Sequence, residues 1–215
     1  VTSICVTLPG EPTEALIERM EKLAPEADLF EVRADLVPSL ALLAVLRART
    51  KPLVFTCRAR SEGGEADDAD PRRHKVLLEA IRRGFDYVDI EHQSGFSDLM
   101  AEKAGRGLVV SFHDFEGTPP DLDRLYAAMV DQGADIVKIA VTPRSIADVA
   151  RLLALAQRAH AKGPRPLVPI AMGPLGLCTR ILGGRYGSPF TYASANDASA
   201  VAPGQLSLQA LAEVY

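Results

Sequence analysis

Eight short apolar runs, separated by amphipathic stretches, recur from one end of the chain to the other, and no other feature limits its fold as much. The runs are SICVTL (3–8), LFEVRAD (29–35), PLVFTCR (52–58), YVDIEH (87–92), LVVSFHD (108–114), DIVKIAV (135–141), PLVPIAM (166–172) and PFTYAS (189–194). Runs of this length, rich in β-branched residues and bounded by turn formers, read as buried strands. Between them apolar residues fall at helical spacing, as at Leu16, Met20 and Leu23, or at Ile146, Val149, Leu153 and Ala156. The second of these stretches opens with Ser145-x-x-Asp148 after Pro143, the pattern of a capping box. Strand alternating with helix implies parallel pairing through right-handed crossovers. Eight such units predict a closed (β/α)8 TIM barrel, with residues 1–215 as a single domain. The rival is an open doubly wound sheet, which usually has fewer strands and, for a dinucleotide, a glycine-rich first turn. The first turn here, LPGEPTE, has one glycine and no phosphate fingerprint.

Composition then narrows the function classes. With 215 residues, 47% of them hydrophobic, the chain can bury one sizeable core. A formal net charge of -4, mixed in sign along the chain, leaves no footprint for nucleic acid. Cys5, Cys57 and Cys178 are scattered, which predicts free thiols in a reducing, cytoplasmic setting rather than a disulfide framework. No apolar run has the length of a membrane span, and VTSICVTLPGEPTE lacks the basic start of a leader, so no membrane partner is expected. His74, His92, His113 and His160 show no ligand spacing, so no metal is expected either. Two long stretches rich in small and polar residues, 59–71 and 194–205, are candidates for lids.

The chemistry-bearing residues are the polar ones inside the apolar runs. Glu31, Arg33 and Asp35 alternate and therefore share one face; Thr56 and Arg58 end the third run; Ser111, His113 and Asp114 end the fifth; Lys138 interrupts the sixth. In a barrel these C-terminal strand ends open to one mouth, where active sites are built. Each residue also has a plainer role open to it. Lys138 could be a buried ion pair with Glu31 or Asp35, His113 a satisfied core histidine, and Glu31 and Arg33 each other's partners. Glu62, in a loop, could be merely solvated, and Arg180 could cover a helix face with its aliphatic stem. Lys138 and His113 together favour chemistry. An ordinary lysine is neutral in only roughly one part in a few thousand at pH 7. Burial in an apolar strand beside other cations favours the free amine, which is how Schiff-base lysines become nucleophilic. An imidazole on the neighbouring strand could then move the proton next to the iminium carbon. An aldolase-type Schiff-base barrel remains an alternative, with ILGGRYG (181–187) as its nearest phosphate cradle. So does a non-catalytic barrel whose lysine is only paired.

Six motifs carry a resemblance: EVRAD (31–35), FTCRARSEGGE (55–65), SFHDF (111–115), DIVKIA (135–140), AMGPLGLCTR (171–180) and APGQLS (202–207). With these in this order over nearly its whole length, the chain resembles the type I 3-dehydroquinate dehydratases, the Schiff-base dehydratases of the shikimate pathway. The resemblance implies a TIM barrel that turns 3-dehydroquinate into 3-dehydroshikimate by syn loss of water. It implies no cofactor, a homodimer and a cytoplasmic location. It makes Lys138 the residue that forms the imine with the substrate C3 ketone. His113 becomes the residue that takes the C2 proton and returns it to the departing C1 hydroxyl, and Glu62 the carboxylate that orients His113. Glu31, Arg33 and Arg58 become contacts to substrate hydroxyls and pocket, with Thr7 where the family often has serine. Arg180 becomes the grip on the substrate carboxylate, a pairing suited to a guanidinium. Tyr192 and Met172 become pocket residues, and Gln205 a lid residue. One departure stands out: the family's lid serine has Val201 in its place, and Ser199 lies two positions earlier.

Overall fold

In a computed structural model that describes residues 2–37, 39–103, 105–196 and 202–215, each of the eight apolar runs becomes a strand. They are β1 (Ser3–Thr7), β2 (Leu29–Arg33), β3 (Leu53–Thr56), β4 (Tyr87–Glu91), β5 (Gly107–Asp114), β6 (Ile136–Val141), β7 (Leu167–Ala171) and β8 (Phe190–Ser194). A ninth, β9 (Leu206–Ser207), has two residues. One helix follows each of the eight: α1 (Thr13–Leu23), α2 (Leu42–Ala48), α3 (Pro71–Arg83), α4 (Ser97–Ala101), α5 (Leu122–Asp131), α6 (Ile146–Lys162), α7 (Leu177–Leu182) and α8 (Leu208–Ala212). Ser145 and Asp148 form the reciprocal capping box at the start of α6. The buried stripe of α6 begins only at Val149 and continues through Leu152, Leu155, Ala156 and Ala159. Of the residues the spacing picks out, Val149 and Ala156 lie on this stripe, Leu153 is half-buried beside it, and Ile146, in the first turn, is exposed.

The sheet runs β7-β6-β5-β4-β3-β2-β1-β8-β9 with every pair parallel. This is the expected (β/α)8 curl, with one difference. Among the described residues no ladder joins β7 to β8, so hydrogen bonding leaves the barrel open along that seam. At the mouth the returning chain fills the gap. Leu206 and Ser207 pair with Ala193 and Ser194 at the end of β8. On the other side Gly173, just past β7, donates its N–H to the Pro203 carbonyl at 3.1 Å. Gly204 permits this approach, because its φ is +71° and a Cβ there would lie 2.8 Å from the Gly173 oxygen.

Strand alternation divides the apolar residues between two cores. Val6, Phe30, Val32, Phe55, Ile90, Val110 and Ile139 face the helices and join Leu16, Met20, Leu77, Ile81, Met129 and Leu152 in the outer core. Cys5, Leu29, Val54, Val109, Ile136, Val168 and Phe190 fill the barrel interior. Fully burying one such Val, Leu, Ile or Phe side chain is worth roughly 1.5–3 kcal/mol, so both layers contribute heavily. At the N-terminal end three aspartates repeat one device, each standing just before an even-numbered strand. Asp28 accepts the N–H of Ile4 at 2.8 Å, Asp86 that of Leu53 at 2.9 Å and Asp135 that of Leu108 at 2.9 Å. Each ties the start of β2, β4 or β6 to the strand before it. Apolar packing thus occupies the lower barrel, and the polar residues of the inner face lie above it. No described helix is long and apolar enough to cross a membrane.

Candidate active site

Strand register decides which side chains meet. β5 and β6 pair with Ser111 opposite Lys138 and His113 opposite Ala140, which puts Lys138 and His113 on one inner face at successive levels. Lys138 is buried, and its Nζ donates to Asp89 Oδ2 at 3.1 Å, lies 3.9 Å from Glu31 Oε1, and stands 4.4 Å from the centre of the Tyr192 ring. The nearest carboxylate is therefore neither of the two the sequence offered. Asp35 is taken by Arg33, through Nε at 2.9 Å and Nη2 at 2.6 Å. Glu31 does not pair with Arg33 either; it accepts the hydroxyls of Thr7 at 2.8 Å and Thr56 at 2.9 Å.

Asp89 is the hub of the floor of the site. Its Oδ1 accepts Arg58 Nη2 at 2.7 Å and Ser111 Oγ at 2.6 Å, while Oδ2 takes Lys138. Burial alone would push this carboxyl up, but Arg58 and Lys138 outweigh it and hold Asp89 at about 2. The cation expected beside Lys138 is thus Arg58, across a shared carboxylate. Arg58 also donates to Ser111 Oγ at 2.7 Å and approaches Glu91 at 3.3 Å. Burial works against its charge, yet Asp89 and Glu91 raise it above the ordinary arginine value. Glu91 in turn accepts Arg73 Nη2 at 2.8 Å and the Ala59 N–H at 2.9 Å.

Above the lysine, Glu62 holds His113 twice through one oxygen. Oε2 accepts the His113 backbone N–H at 3.0 Å and lies 2.8 Å from Nδ1. With Glu62 ionised, Nδ1 carries the ring proton and Nε2 is left as a lone pair. Burial, then Arg58, Lys138 and Arg33, push the imidazole well below its usual range, so it rests neutral. Burial raises Glu62 to about 7, with Arg58 opposing and Glu91 and Asp89 adding to the rise. The loop between β3 and α3 presents Glu62 on a short 3-10 turn (Arg60–Glu62) closed by Gly63 at φ 80°. A Cβ on Gly63 would meet the Phe115 ring at 2.3 Å, so only glycine lets Phe115 lie against the turn.

The opposite wall is built for an anion. Arg180, on α7, is 2% exposed, and its Nε has no hydrogen-bond partner among the described residues. Its Nη2 donates at 3.4 Å to the Pro203 carbonyl. Among the described residues no carboxylate pairs with it, and burial pulls it down to about 10. A buried cation left without a counter-ion is costly unless a ligand supplies one. Tyr192, Met172, Ile170 and Ala140 form the apolar lining, and Gln205 Nε2 reaches down to Thr7 Oγ1 at 3.3 Å. Together these walls enclose a cavity of about 60 Å³ that opens to solvent at the mouth.

All eleven residues expected to serve the site line this one cavity: Lys138, His113, Glu62, Glu31, Arg33, Arg58, Arg180, Gln205, Thr7, Met172 and Tyr192. Ser199 and Val201 lie outside the described residues. Ser111, one of the polar strand residues, completes the floor of the site together with Asp89 and Glu91, which the sequence reading did not single out. The signal for these two was the alternation in YVDIEH, which puts both carboxylates on one strand face. The glycine-rich stretch 181–187 is not at the mouth. Gly184 packs against Thr2, at the N-terminal end of β1, so no phosphate cradle faces Lys138 from there.

Comparison with known proteins agrees with this geometry. A family profile described as Type I 3-dehydroquinase matches residues 4–215. The 3-dehydroquinate dehydratase of Klebsiella pneumoniae is 36% identical over 232 residues, covering 99% of this chain and 92% of that one. A bifunctional 3-dehydroquinate dehydratase/shikimate dehydrogenase of Arabidopsis thaliana is 35% identical over 88% of this chain, which spans only 32% of that longer protein. The crystal structure of 3-dehydroquinate dehydratase from Geobacillus kaustophilus superposes with a TM-score of 0.87 at 32% identity, covering 100% of this chain and 90% of that one.

Proposed function

The chain belongs to the type I 3-dehydroquinase family, and from that premise we propose that it removes water from 3-dehydroquinate through an imine on Lys138, in the shikimate pathway. The observation that carries this reading is the pairing, in one cavity, of a buried amine with a buried guanidinium that has no carboxylate partner among the described residues. An amine for a ketone and a guanidinium for a carboxylate are what a cyclic keto acid requires.

In this mechanism Arg180 binds the substrate carboxylate and Lys138 attacks the C3 carbonyl as the free amine. The carbonyl oxygen leaves as water, carrying one proton from the amine and one taken up from solution that the final hydrolysis returns, and an iminium remains. The iminium draws electrons from the C2–H bond while His113 Nε2 takes that proton, giving an enamine. The enamine then expels the C1 hydroxyl, to which His113 returns the same proton, so a second water departs from the same face. Hydrolysis of the conjugated iminium consumes one water, frees Lys138 and releases 3-dehydroshikimate. The net change is loss of one water. Glu62 keeps Nδ1 protonated and Nε2 available. Glu31, Arg33 and Arg58 contact the ring hydroxyls, Tyr192 and Met172 pack on the ring, and Thr7 anchors Gln205 over it.

The family resemblance further supports a homodimer that needs no metal or cofactor. The free thiols Cys5, Cys57 and Cys178 support a reducing, cytoplasmic setting. The test is incubation with 3-dehydroquinate, followed by the ultraviolet absorbance of the enone product and by borohydride reduction. The expected outcome is enone formation, borohydride inactivation, and a mass increment on the peptide carrying Lys138. None of the three should occur in Lys138→Ala. Turnover without a trappable adduct on Lys138 would overturn the imine.

A further inference from the structure

Asp35 lies outside the cavity, yet it holds two parts of the site at once. Its side chain has no solvent exposure. Oδ1 accepts Arg33 Nε at 2.9 Å and the Arg58 backbone N–H at 3.1 Å, and Oδ2 accepts Arg33 Nη2 at 2.6 Å and the Glu65 backbone N–H at 3.2 Å. Arg58 and Glu65 are the two ends of the loop that carries Glu62. The same ends are joined by the bridge between Ala59 and Ala66 and by the Ala66 N–H, which donates to the Arg58 carbonyl at 3.3 Å. One carboxylate therefore fixes both the Arg33 guanidinium and the neck of the loop that aims Glu62 at His113.

We propose that Asp35 is a positioning residue for the dehydration step: it sets the place of Glu62, and through it the place of His113, while fixing the direction of Arg33. This rests on the roles given above to Lys138, His113 and Glu62. Neutralising Asp35 removes the bidentate partner of a nearly buried guanidinium and turns one acceptor oxygen into a donor facing either Arg58 N–H or Glu65 N–H. Either change loosens the loop neck, and displacing a catalytic pair by about 1 Å can cost about 100-fold in rate.

The other aspartates provide a control. Asp86 also accepts a strand N–H, that of Leu53 at the opposite end of β3, far from the mouth. At saturating 3-dehydroquinate, Asp35→Asn is expected to lower kcat about 10- to 100-fold and to move the pH midpoint of kcat. Borohydride should still trap the adduct on Lys138, since imine formation does not need His113. Asp86→Asn is expected to lower Tm and leave kcat and the pH midpoint unchanged. If Asp35→Asn does not fold, Asp35→Glu takes its place. It keeps the charge but shifts the carboxylate by one methylene, and the same loss of kcat is expected. A folded Asp35 variant with wild-type kcat and pH midpoint, or one whose activity falls only with its folded fraction as in Asp86→Asn, would overturn the inference. Failure of the wild-type protein to dehydrate 3-dehydroquinate would instead remove the functional reading on which it stands.

Discussion

Asp89 places one oxygen 3.1 Å from Lys138 Nζ and the other 2.7 Å from Arg58 Nη2, so a single buried carboxylate serves two buried cations. Lys138 is thus neither an isolated charge in an apolar strand nor half of a private ion pair. The arrangement has a consequence for acid stability. Holding this carboxyl at about 2 instead of 3.8 is worth roughly 2 kcal/mol at neutral pH. That stability is present in full above about pH 4 and is lost as pH falls toward 2. Asp89→Asn should be less stable than wild type at pH 7 by urea unfolding. The gap should narrow by roughly 2 kcal/mol between pH 4 and pH 2. A gap constant over that range would mean that Asp89 does not titrate as the geometry requires.

In the proposed mechanism His113 moves the protons of the elimination, and imine formation remains possible without it. His113→Ala should therefore keep the borohydride-trapped adduct on Lys138 while kcat falls roughly 10²- to 10⁴-fold. Stopped-flow assays of enone formation measure this directly. Near-wild-type turnover would transfer the proton steps to another residue.

Arg180, the proposed grip on the substrate carboxylate, is held buried at a cost to the folded state. Burial that pulls its guanidinium down to about 10, well below the ordinary arginine range, means its charge costs the folded state roughly 3 kcal/mol at pH 7. The cost is relieved only as pH rises through that folded value. Arg180→Met should gain up to that amount in urea unfolding of the ligand-free protein and should raise KM for 3-dehydroquinate. An unchanged KM would point to another anchor for the substrate carboxylate.

The seam between β7 and β8 gives a prediction about substrate capture. Gly204→Ala puts a Cβ 2.8 Å from the Gly173 oxygen at a φ of +71°, and the left-handed conformation alone costs about 1–2 kcal/mol. KM should rise, because Gln205 follows directly. The Tm should fall modestly. Unchanged KM and Tm would show that the bridge across the seam is dispensable.

Much of this molecule was readable along the chain because it depends on local periodicity. Strand and helix alternate visibly, and the two-residue period of a strand puts Glu31 with Arg33, and aligns His113 and Lys138 with the mouth, before any partner is known. The Ser145–Asp148 capping box is local for the same reason. The aspartates before β2, β4 and β6 were also on the page, but one residue in each unit is too short a repeat to stand out.

The pairings were not readable. Asp89 is 49 residues from Lys138 and 31 from Arg58, and nothing in spacing chooses it over Glu31 or Asp35. Packing makes the choice. Register alone would set Glu91 level with Lys138, through Ser111, but Glu91 is held by Arg73 and the Ala59 N–H, and the lysine side chain reaches Asp89 two residues earlier on β4. Asp35 goes to Arg33 because a bidentate guanidinium lies two residues away. Glu31 goes to Thr7 and Thr56 because they flank it on the adjacent strands. By itself the sequence determined which residues could share a mouth. The tertiary structure decided which charges meet there, because in a low-dielectric interior each buried charge is settled by the partners that register and closure bring within about 3 Å.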